Sequence, residues 1–112
     1  MSKKPDFTHL HVHTEFSLLD GMSKIDALMD ETKALGMDSI AITDHGALYG
    51  TVQFVQAASK RGIKPIIGVE TYVARRGMAD KEGKADQQPF HLVLLATSAT
   101  GYRNLCRLVT DA

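Results

Sequence analysis

The chain has 112 residues, 44% hydrophobic and 23% charged, an ordinary composition for one globular domain that excludes a disordered or fibrous chain. Thirteen basic residues balance thirteen acidic ones, so no net basic surface argues for nucleic-acid binding by charge alone. No run approaches the roughly 18 apolar residues of a membrane span, Met1-Ser2-Lys3-Lys4-Pro5-Asp6 lacks the apolar core of a secretion signal, and the single Cys106 cannot form an internal disulfide; together these predict a cytoplasmic chain with no membrane role.

Residues 8–13 read as a first strand. Alternate side chains of extended backbone share a face, so His11 and His13 project to one side and Leu10 and Val12 to the other. Two imidazoles at the end of a buried strand need partners for their ring nitrogens. A metal ion is one solution, and hydrogen-bonded core or surface histidines are the other. After a polar turn, Asp20 is either a further ligand or the cap of the turn before Gly21. Ser23, with Asp26 three residues on, has the pattern of an acidic capping box. Ile25, Leu28, Met29, Thr32 and Leu35 follow at helical spacing, and Gly36 supplies the stop.

Residues 39–43 form a short apolar strand running into Asp44-His45-Gly46. A second helix carries Leu48, Val52, Val55 and Ser59 on one stripe, with Gly62 after it. A third strand lies within residues 63–73, Pro65 being tolerated near its start. Residues 74–89 show no periodicity and read as an exposed, mobile loop. Residues 90–96 are a fourth strand, and Tyr102, Leu105, Cys106 and Val109 mark a last helix, with Cys106 in its core.

This alternation predicts an α/β fold with a mostly parallel sheet, open or closed as a barrel, whose ligands gather at the carboxyl ends of the strands. His11 and His13 close the first strand, Asp44 and His45 follow the second, and Glu70 follows the apolar run Ile66-Ile67-Gly68-Val69. Glu70 meets either a lysine or a metal, since a carboxylate at the inner end of an apolar strand costs several kcal/mol unless a cation or donors face it. His45 is a ligand or part of a plain turn, whereas Asp44 orients a neighbouring ligand or caps the second helix. His91 begins its strand and would lie at the wrong rim of a parallel sheet. A hairpin through residues 74–89 would instead return it beside Glu70.

The segments His11-Val12-His13-Thr14-Glu15-Phe16-Ser17-Leu18-Leu19-Asp20-Gly21, Ile42-Thr43-Asp44-His45-Gly46, Gly68-Val69-Glu70, His91-Leu92-Val93-Leu94-Leu95-Ala96 and Gly101-Tyr102-Arg103-Asn104-Leu105 resemble the opening motifs of the polymerase and histidinol phosphatase (PHP) domain, in particular the amino-terminal PHP domain of bacterial replicative DNA polymerases. The resemblance implies a distorted seven-stranded (β/α) barrel holding up to three metal ions, of which residues 1–112 supply the first four β/α units. It places His11, His13, Asp20, His45, Glu70 and His91 on the family's ligand positions, with His9 outside the motif.

The family's later ligands, a Cys and an Asp-x-His pair, have no counterpart, so the resemblance implies an amino-terminal fragment, poorly stable alone and without turnover of its own. It further implies a parent DNA-directed DNA polymerase using magnesium, with DNA, deoxynucleotides, a proofreading exonuclease subunit and a sliding clamp as partners. This domain would then be a 3′–5′ exonuclease or a platform. A free-standing phosphoesterase such as a histidinol phosphatase, and a purely structural metal site, are the alternatives. Histidine and carboxylate ligands suit zinc, manganese or iron alike.

Overall fold

A computed structural model describes residues 6–18 and 20–112; residues 1–5 and Leu19, the latter in the Leu18-Leu19-Asp20-Gly21 motif, lie outside the described residues. The elements are α1 (Ile25–Ala34), β1 (Ser39–Ile42), α2 (Thr51–Lys60), β2 (Lys64–Val73), a 3-10 turn (Gly83–Asp86), β3 (Phe90–Leu95) and α3 (Ala99–Asp111). The strands form one sheet in the order β1-β2-β3. β1 and β2 are parallel, with Ser39 opposite Lys64 and Ile42 opposite Ile67. β2 and β3 are antiparallel, with Gly68 opposite Leu95 and Val73 opposite Phe90. The fourth unit is thus a hairpin return, not a further β/α crossover.

The predicted first strand is not a regular strand. Residues 8–13 run along the outer edge of β1, where the Ala41 N–H donates to the His9 carbonyl at 2.9 Å and the Thr43 N–H to the Val12 carbonyl at 2.8 Å. The acceptors are three positions apart and the donors two, so this segment carries one extra residue, as at a bulge. Thr43 repairs the ladder with its side chain. Its hydroxyl accepts from the Val12 N–H at 2.8 Å and donates to the Val12 carbonyl at 3.2 Å.

α1 starts after Lys24 without a side-chain cap. Ser23, the expected cap, is used otherwise: it bridges to Thr14, and its carbonyl accepts from the Glu15 N–H at 2.9 Å. The carboxyl end closes as expected, since Gly36 adopts φ 76° and the Gly36 and Met37 N–H groups return to the carbonyls of Lys33 and Thr32. In α2 the buried face is Thr51, Phe54, Ala57 and Ala58, whereas Val52 is 67% exposed. The predicted stripe of Leu48, Val52, Val55 and Ser59 is therefore rotated away from the core. Phe54 buries far more apolar area than either valine, and the small side chains of Ala57 and Ala58 let α2 approach its neighbours.

The core lies between the sheet and the α1/α2 layer and comprises Ile25, Met29, Ile40, Ile42, Phe54, Ala57, Ala58 and Ile63. Val12 and Phe16 pack against its rim, which ties the amino-terminal segment to the helices. Residues 74–89 are largely exposed but held at both ends of the hairpin: Arg76 pairs with Asp86 at 3.0 Å, and the Arg75 guanidinium lies 4.4 Å from the centre of the Phe90 ring. α3 is capped by the Ser98 hydroxyl, which accepts from the Gly101 N–H at 3.1 Å. Only Leu105 of the predicted α3 stripe is fully buried; Tyr102, Val109 and Cys106 are half-buried, so Cys106 is not a core residue here. No described helix is long and apolar enough to cross a membrane.

Candidate metal centre

Four segments bring their polar ends to one place. β2 contributes Glu70, and the loop after β1 runs beside it: the Glu70 N–H donates to the Asp44 carbonyl and the Gly46 N–H to the Glu70 carbonyl, each at 3.0 Å. This short extension of the parallel ladder sets His45 against Glu70. β3 pairs His91 with Tyr72, and directly opposed residues share a sheet face, so His91 stands diagonal to Glu70 on the face that Glu70 and Tyr72 share. The hairpin reading of His91 therefore holds. His11 and His13 arrive from the extra-residue segment along β1, and Asp20 from the turn beyond it.

Glu70 is the hub. It is 4% exposed, yet its carboxylate faces four imidazoles. Oε1 meets the His11 ring and lies 3.5 Å from His13 Nε2, while Oε2 lies 2.8 Å from both His45 Nδ1 and His91 Nδ1. His45 reaches the other way through Nε2, 2.8 Å from Asp20 Oδ2. All six residues singled out in the sequence are brought together, and no lysine approaches Glu70 among the contacts of the described residues. His9 stands apart, its ring edge-on to Phe7 at 4.8 Å.

Burial alone would raise the pKa of Glu70, but hydrogen bonds from His91 and His11 and the charges of His45 and His11 outweigh it and hold the carboxyl below its ordinary value. A lowered folded pKa stabilises the fold above the ordinary glutamate value of 4.5, and this contribution is lost as pH falls through the lowered value. In the metal-free chain, urea-unfolding stability should therefore fall on acidification through that window. Glu70→Gln should flatten this dependence, and identical pH profiles for the two proteins would contradict the assignment.

The donor atoms fall into three overlapping groups, His11-His13-Glu70, His13-Asp20-His45 and His45-Glu70-His91, each with its atoms within 4.8 Å of one another. The chemistry of this set fits a divalent cation: imidazoles and carboxylates aimed at common points, with no competing ammonium or guanidinium among them. His11 Nε2 and His13 Nε2 are 3.2 Å apart, close to the roughly 3.3 Å that separates two nitrogens on one tetrahedral zinc. A cavity of about 500 Å³ opens alongside, lined by Phe16, Asp20, His45, Tyr49, Tyr72 and His91.

Asp44 does not cap α2, whose N-cap is Gly50 with no side-chain bond. It is 2% exposed and accepts from the Thr14 N–H at 2.6 Å, the Thr14 hydroxyl at 2.7 Å and the Ser17 hydroxyl at 2.9 Å. Asp44 therefore fixes the loop between His13 and Asp20. Sequence reasoning singled out neither Thr14 nor Ser17, nor Tyr72, whose hydroxyl lies 3.5 Å from His45 Nδ1. Tyr72 was accessible from alternation, two positions beyond Glu70 on the same strand face. Thr14 and Ser17 were hidden because hydroxyl residues in a turn normally serve the turn itself.

An α/β sheet that gathers histidines and acids at one rim defines a class, and residues 9–112 match the family model described as the PHP domain; the chain belongs to that family. Its similarity is more particular than the family. Over 98% of its length it is 44% identical to the DNA polymerase III subunit alpha of Borreliella burgdorferi, and over its whole length 48% identical to that of Helicobacter pylori strain 26695. It covers 10% and 9% of those proteins, so the chain spans about a tenth of the length of the curated relatives it matches. Among solved structures it resembles a protein from Bifidobacterium adolescentis provisionally described as a metal-dependent phosphoesterase, with a TM-score of 0.63, 18% identity, and coverage of 94% of this chain and 34% of that one. That last likeness is one of fold.

Proposed function

We propose that this chain is the PHP portion of a replicative DNA polymerase of the DNA polymerase III alpha type, and that His11, His13, Asp20, His45, Glu70 and His91 hold divalent metal for hydrolysis of a phosphodiester at the 3′ end of DNA. The observation that carries the metal reading is Glu70, buried to 4% exposure and faced by four imidazoles. The 44–48% identity across the chain supports the polymerase assignment. DNA-directed synthesis, with its magnesium ions and deoxynucleotides, then belongs to other parts of the polypeptide. A proofreading exonuclease subunit and a sliding clamp are the partners such a replicase would engage, in the cytoplasm. Closure of the sheet into a distorted seven-stranded barrel belongs to the same reading and would cover the outer edge of β3.

Zinc, manganese and iron all suit this donor set. A divalent metal held by these residues would supply positive charge against phosphate oxygens and a more acidic bound water. The chain's own residues do the positioning. Glu70 belongs to two of the three donor groups and fixes their spacing, His45 spans Glu70 and Asp20, and Tyr72 and Tyr49 line the cavity where a nucleotide would sit.

The test is His45→Ala in the full-length polypeptide that carries this domain. Bound metal and degradation of a mismatched primer end should both fall, while primer extension stays largely intact. Loss of extension in a folded, metal-loaded variant would overturn the division of labour. Unchanged degradation with reduced metal would show the metal to be structural.

A further inference from the structure

We infer that Ser17 is a positioning residue that locks His13 in a single tautomer, keeping its Nε2 lone pair free for the metal; this rests on the metal reading above. The evidence is a closed count of protons around one oxygen. A serine hydroxyl has one proton to donate and two lone pairs with which to accept. Ser17 Oγ has three polar neighbours: Asp44 Oδ1 at 2.9 Å, the His45 backbone nitrogen at 3.1 Å and His13 Nδ1 at 3.0 Å. An ionised carboxylate only accepts, so the hydroxyl proton goes to Asp44. A backbone N–H only donates, so one lone pair of Oγ is taken by His45. The remaining lone pair faces His13 Nδ1, which must therefore carry a proton. A neutral imidazole protonated at Nδ1 has its lone pair on Nε2.

Nε2 is the atom that needs it. His13 Nε2 points into the donor cluster, 3.2 Å from His11 Nε2 and 3.5 Å from Glu70 Oε1. Ser17 is itself buried, being 2% exposed, and Asp44 is held by both donors of Thr14. The order is thus fixed from the buried carboxylate outward: Asp44 sets the Ser17 hydroxyl, Ser17 sets the His13 ring, and the ring presents its free nitrogen. The same oxygen holds the His45 backbone, so one hydroxyl orients two of the six site histidines and acids at once.

The tautomer can be read without metal or activity. In the full-length polypeptide that carries this domain, labelled with ¹⁵N-histidine and with the His13 signals assigned by their loss in His13→Gln, at about pH 8 where an ordinary imidazole is neutral, His13 should show a protonated Nδ1 and an unprotonated Nε2. The opposite tautomer would overturn the inference. Ser17→Ala should then give a mixed His13 tautomer and bind zinc about 10- to 100-fold more weakly, the range found when a ligand's orienting partner is removed. Wild-type zinc affinity in Ser17→Ala with an unchanged tautomer would also overturn it. Should Ser17→Ala fail to fold, the wild-type spectrum decides. Should the wild-type chain show the expected tautomer yet take up no zinc, manganese or iron, the metal reading fails while the lock on His13 stands.

Discussion

Gly21→Ala is expected to unfold the site loop and cost on the order of 3 kcal/mol or more of stability. A Cβ on Gly21 would lie 1.8 Å from the Thr14 carbonyl oxygen and 2.9 Å from Ser17 Cβ. The first of these neighbours is backbone. It cannot step aside, because the Thr14 carbonyl accepts from the Ser17 N–H at 2.9 Å, while Thr14 is also bridged to Ser23 and bonded three ways to Asp44 or its own turn. Any shift that accommodates the methyl would break the set of bonds that places Asp20 and Ser17. Gly62→Ala is the control: nothing lies within 4 Å of its added Cβ, and only the left-handed backbone at φ 67° is penalised, by about 1–2 kcal/mol. Thermal denaturation of both variants checks the difference, and a Gly21→Ala protein that melts with wild type would contradict the packing described here.

The second large effect is on metal affinity. Glu70→Gln keeps the side-chain volume but replaces a shared anionic donor with an amide, and two of the three donor groups lose their carboxylate. Metal affinity should fall by at least about 100-fold, beyond what removal of an orienting partner causes. Stability of the metal-free fold should change far less, by no more than the contribution that the lowered Glu70 pKa makes above the ordinary glutamate value. Metal titration and denaturation of the same preparations separate the two. Equal affinity for Glu70→Gln and wild type would remove Glu70 from the ligand set.

Much of the site was legible because its residues sit where strand chemistry is most regular. Glu70 interrupts an apolar run, and His45 follows β1 directly, so position alone marks both. The gathering of His11 and His13 was also legible, although the regular strand assumed for it was not, since no periodicity reveals the extra residue that shifts Val12 against Thr43. The α2 stripe failed for a different reason. Val52 and Val55 are as apolar as the residues that are buried, and a helix short of a strong contrast between faces leaves its rotation to tertiary packing, here around Phe54. Ser23 shows the same limit, because a cap in the sequence is only an offer of a hydroxyl, and the bridge to Thr14 took up this residue's backbone first. Direction in the sheet was open as well: nothing local to residues 90–96 distinguishes a parallel from an antiparallel return, and only the chemistry of His91 pointed to the hairpin.

The contact between His11 and Glu70 joins residues 59 positions apart, and this separation bears on the order in which the domain assembles. α1, β1, α2 and β2 join across shorter stretches of chain, Ser39 meeting Lys64, whereas the cost of closing a loop rises with the logarithm of its length. The amino-terminal segment also has no lane to occupy until β1 exists to receive it. The donor cluster is therefore expected to assemble late in folding, leaving an ion in solution no preformed site to nucleate around. Metal should leave the refolding rate nearly unchanged and slow unfolding instead, acting as a latch on a finished domain.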